Sequence, residues 1–306
     1  LKLLLKIFIL IIFFPIIKDE VRLNLIKTLS FLIVIFFIQV LITSIAINFF
    51  HIPISNLKFI FPFIGGVAEH EQYPFFIFDY LNNFQYYRPR FFFHEPSGVG
   101  YSILVIYMMR LLLGAKKNNL LISILAFGTV ILCIAKAAII IFLFYFIIKF
   151  LILIPSRSRI LVIFLLIFLG VIFFIILNIY LGEYLIWRIQ SITNFKILFE
   201  SVSLFPNGVN ADLFRSLDDG VGRNFTYSSI FYECGIVFAT LYLFLLMKLF
   251  LKSVSLPYKK YCTVFPVFVS FLVFLCAGNN YMSGGALILL FLIIDLCNKE
   301  TNLRKL

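Results

Sequence analysis

Charge is what this chain has least of. Asp, Glu, Lys and Arg together make up 13% of its residues, and 63% are hydrophobic. A soluble globular domain carries roughly a quarter of charged residues, so the imbalance excludes a water-soluble globule and predicts an integral membrane protein. Cysteine is sparse as well. Cys133, Cys234, Cys262, Cys276 and Cys297 lie in or beside apolar segments without a C-x-x-C pair, which argues against a disulfide framework and a cysteine metal site. The histidines His51, His70 and His94, with Glu69 and Glu71 near them, fit no metal-ligand spacing. No metal and no cofactor are expected. Mid-run charges and internal repeats, the marks of an ion-coupled carrier, are also scarce. The net charge of +12 raises nucleic acid as a partner, but the basic residues come in short clusters between apolar runs. That pattern is topogenic, and no nucleic-acid partner is expected.

What is present is a succession of apolar runs, at 3–17, 29–50, 98–113, 120–154, 161–181, 229–251, 262–277 and 286–297. As a single helix the run 120–154 would reach about 50 Å across a hydrocarbon core of about 30 Å. It must fold back, and the one charge in its middle, Lys136 in Cys133-Ile-Ala-Lys-Ala-Ala138, marks the hinge. The expectation is an all-α, polytopic membrane domain covering residues 1–306, with about nine transmembrane helices. The chain opens on Leu1-Lys2-Leu3, already apolar and without a methionine, so it reads as a fragment with further spans upstream. No small-residue cleavage site follows the first run, which argues against a signal peptide.

Two long interruptions divide the runs, 51–97 and 182–228. Five prolines keep the first from being one helix, and its Phe and Tyr residues suit the membrane interface. The second opens with an amphipathic pattern around 185–200 that includes Trp187. It then turns at Pro206-Asn-Gly208 and Asp218-Asp-Gly220. The basic clusters Lys18, Arg22 and Lys27; Arg110, Lys116 and Lys117; Lys149, Arg157 and Arg159; Lys248, Lys252, Lys259 and Lys260; and Lys299, Arg304 and Lys305 all fall on one side if that side is cytoplasmic. Both long loops and Lys136 then face outward. Arg88, Arg90, Lys136, Arg188, Arg215 and Arg223 defy the positive-inside bias on this reading. They could clamp a pyrophosphate and neutralise it as it departs, or anchor to lipid phosphate and pair with nearby acids.

Several of these segments together resemble the bacterial O-antigen polymerase and O-antigen ligase family. Arg90-Phe-Phe-Phe-His-Glu-Pro-Ser97, followed by Gly98 and Gly100, is similar to the family's arginine, aromatic, Glu/Asn-Pro element leading into a span. Ile134-Ala-Lys136-Ala-Ala is similar to its Ser-Arg/Lys-Gly/Ala hairpin, with Ala135 in place of the usual serine. Trp187-Arg188 and Leu204-Phe-Pro-Asn-Gly208 resemble the arginine helix and glycine turn of its large outer loop. Arg223-Asn224, leading to Glu233-Cys-Gly235-Ile, resembles the element before a span with Glu-x-Gly-Ile. The ligases carry a histidine where Arg223 stands, which favours the polymerase.

The resemblance implies a glycosyltransferase-like polymerase of O-antigen or capsule repeat units in the cytoplasmic (inner) membrane. Glycan would pass from undecaprenyl pyrophosphate to a sugar hydroxyl of a second lipid-linked repeat unit at the outer face. The implied partners are the lipid-linked oligosaccharide, membrane lipid and a chain-length regulator protein. Such a transfer needs a base at the acceptor hydroxyl and positive charge on the departing pyrophosphate. Glu95 is the first candidate for the base and Glu233 the second, with Arg90 and Arg223 as catalytic cations. Arg88, Arg90, Lys136, Arg188 and Arg223 are the candidate pyrophosphate ligands. Glu95 could equally pair with Arg88 or Arg90 or cap the following helix. The alternatives are an O-antigen ligase and a non-enzymatic flippase or carrier for lipid-linked oligosaccharide.

Overall fold

A chain with long apolar runs must satisfy its backbone N–H and C=O groups within each segment, because hydrocarbon offers no partners, and the helix does this. A computed structural model describes residues 19–50, 67–74, 85–89, 96–114, 119–154, 226–276 and 284–303. Along them run α1 (Asp19–Asn48), β1 (Val67–Pro74), β2 (Gln85–Pro89), α2 (Pro96–Leu112), α3 (Asn119–Leu132), α4 (Lys136–Leu153), α5 (Thr226–Val254), α6 (Tyr258–Cys276) and α7 (Gly284–Leu303). Each helix covers one of the apolar runs. The runs 3–17 and 161–181 and the second long interruption lie outside the described residues, apart from the end of that interruption in α5.

Among the described residues, three stretches are long and apolar enough to cross a membrane by length and composition: Val21–Asn48, Gly235–Val254 and Tyr258–Leu275. Four shorter apolar helices accompany them, Gly98–Leu112, Leu120–Leu132, Ala137–Leu153 and Gly285–Asn298. Large apolar side chains are exposed along these helices, Phe31, Ile38, Leu241 and Phe244 among them. In water such faces would drive aggregation, whereas in a bilayer they meet acyl chains. Hydroxyls within the spans bond to carbonyls of their own helix, Thr129 to Leu125 at 2.8 Å and Thr240 to Ile236 at 2.7 Å, which removes their cost in hydrocarbon.

The first interruption adds an element that the all-α expectation lacks, a two-stranded antiparallel hairpin of β1 and β2. Tyr73 pairs with Tyr86 and Gln72 with Tyr87, and the register then shifts before Val67 meets Pro89. Strand pairing of this kind depends on two segments meeting across a loop, so hydropathy along the chain does not announce it. β2 lies against α1.

The chain divides into two compact units, one of residues 1–143 and 288–292, the other of 144–287 and 293–306. In the first, α1 packs on α2 and α3, and α2 on α3. Its buried centre holds Ile33, Ile103, Tyr107, Val130 and Phe142. In the second, α5 packs on α6 over Leu246, Leu249, Val264 and Phe268.

Candidate functional site

The double-length run breaks where its length requires. α3 stops at Leu132 and α4 starts at Lys136. The stop is a Schellman arrangement: Ile134 N–H donates to Ile131 C=O at 2.8 Å and Ala135 N–H to Val130 C=O at 3.2 Å. Ile134 occupies the left-handed position at φ 46°, a place where glycine is usual and a β-branched side chain is strained. Beyond it the chain turns back. The rings of Phe127 on α3 and Phe142 on α4 lie 5.9 Å apart, whereas fifteen residues of straight helix would separate them by about 22 Å. Tyr107 of α2 packs on the same Phe142 ring at 5.2 Å and shares a hydrogen with Ser123 of α3 at 2.7 Å, so α2 lies along both arms.

The start of α2 seats this hinge. A Cβ built on Gly100 would overlap the Cβ of Ala135 and stand 3.3 Å from that of Ala138. Only glycine permits this approach, which makes Gly100 a helix contact. Gly100 stands four residues, about 6 Å along the helix, from the Pro96 that opens α2. In the sequence, Glu95 directly precedes Pro96. The backbone of Lys136 follows Ala135 immediately. The backbone of the hinge before Lys136 is therefore brought to the Pro96 end of α2.

Of the remaining candidates, Arg88 stands in β2, opposite the register shift that spans Ala68-Glu-His-Glu71 of β1. Glu233 stands in α5, two residues before a break at Gly235, whose φ 76° and ψ 167° are open essentially to glycine alone. The Glu-x-Gly element thus has a backbone reason for its glycine: a short helical lead-in ends and the span Gly235–Val254 begins. Arg90, Glu95, Arg188, Arg215 and Arg223 lie outside the described residues, as do His51 and His94.

One residue has a different role from the one its position suggests. Arg110, expected to be one of the charges that set topology, is 2% exposed, among the largest fully buried side chains. Its Nε donates to Ser30 Oγ at 2.6 Å, and Ser30 Oγ donates to Ile26 C=O at 2.7 Å. Arg22 Nε donates to Leu113 C=O at 2.6 Å, just before Gly114 closes α2 at φ 86°. Cations in and beside the last turn of α2 complement its dipole, and together these two clasp α2 to α1. Compared with protein-family models, with curated proteins and with solved structures, the chain matches none of them.

Proposed function

We propose that this chain is a polysaccharide repeat-unit polymerase that crosses the membrane about nine times and acts at its outer face. It transfers glycan from undecaprenyl pyrophosphate to a sugar hydroxyl of another lipid-linked repeat unit. The observation that carries the reading is the seating of the hinge before Lys136 on Gly100, four residues into the helix that Glu95 directly precedes in the sequence. A lysine at the first residue of a helix is opposed by that helix's dipole. That cost falls when a pyrophosphate occupies the same end, and Arg90 and Glu95, a few residues before Pro96 in the sequence, are the arginine and the carboxylate that the transfer needs. Lys136 and Arg90 hold the departing pyrophosphate, Glu95 takes the proton from the acceptor hydroxyl, and Arg188 and Arg223 complete the cationic site.

The test is the chain-length profile of surface glycan with and without the gene. A polymerase leaves one repeat unit on the final acceptor when it is removed, and the ladder disappears. Complementation with Lys136→Ala or Arg90→Ala should then restore polymer at a rate lowered by about a hundredfold or more, as for loss of one group that stabilises leaving-group charge. Glu95→Gln should behave alike. Full-length polymer held on undecaprenyl pyrophosphate, with none on the acceptor, would identify a ligase; an unchanged profile would remove the enzyme reading.

A further inference from the structure

We draw no further inference here: the strongest candidate, the open apolar groove that Tyr261, Phe265 and Val269 of α6 line with Ile152 of α4 and Phe250 of α5, is an unpartnered apolar surface, and nothing in the structure shows what covers it.

Discussion

The two units of this chain are held together by different chemistry. In the first, buried polar bonds and close backbone approach join the helices: Arg110 to Ser30, Arg22 to the Leu113 carbonyl, Tyr107 to Ser123, and Gly100 against Ala135. In the second, rings meet rings, with Phe250 against Phe265 and Phe268, and the bond from Lys252 to Asn298 at 2.7 Å is exposed. In hydrocarbon, apolar contact between helices gains little over contact with lipid, so packing detail and polar bonds decide which helices associate. A buried arginine or a glycine contact fixes one register.

The sharpest way to break the contrast is Arg110→Ala. It removes a large buried side chain and a bond to a charged donor, and should cost about 2–4 kcal/mol. Thermal unfolding in detergent, followed by the loss of α1–α2 proximity between a pair of spin labels, would check it. A smaller effect falls on the second unit. Gly235→Ala places a Cβ at φ 76°, ψ 167°, and the strain should cost about 1–3 kcal/mol, read as a lowered unfolding midpoint. Retained stability there would mean that the α5 break is dispensable. The smallest effect has the opposite sign. Ile134→Gly relieves a strained left-handed residue at φ 46° and should raise stability by about 1 kcal/mol; a fall instead would show that the isoleucine side chain contributes packing worth more than the strain.

Much of the helical part was legible beforehand, and the particulars show why. The hinge near Lys136 followed from length alone, since the run 120–154 exceeds a bilayer, and the chain does turn at 133–135. The close contact of Gly100 with Ala135 could not be read from the sequence without the turn that brings the two together. Arg110 was legible only as a charge near the end of a span. Whether such a residue snorkels or is buried depends on the face that meets α1, and nothing in its own segment records that face. Ile134 carries no turn signal at all: a Schellman stop ordinarily asks for glycine, and here the length of the run and the packing of Phe127, Phe142 and Tyr107 override local preference. The β1–β2 hairpin was hidden because pairing between 67–74 and 85–89 is set across a loop rather than along a segment. Of the candidate site, the hinge before Lys136 is brought to the start of α2, Arg88 is set within its own hairpin, and Glu233 precedes a backbone break that its neighbouring glycine makes possible.

The sequence by itself determined that this is a helical membrane protein and where its apolar segments begin and end, because hydropathy and length act on each segment separately. Only the tertiary structure decided which helix meets which, that Arg110 is a buried clasp, and that Gly100 seats the hinge before Lys136. Each of these depends on contacts between segments far apart in the chain, where a side chain's role is set by the face it meets.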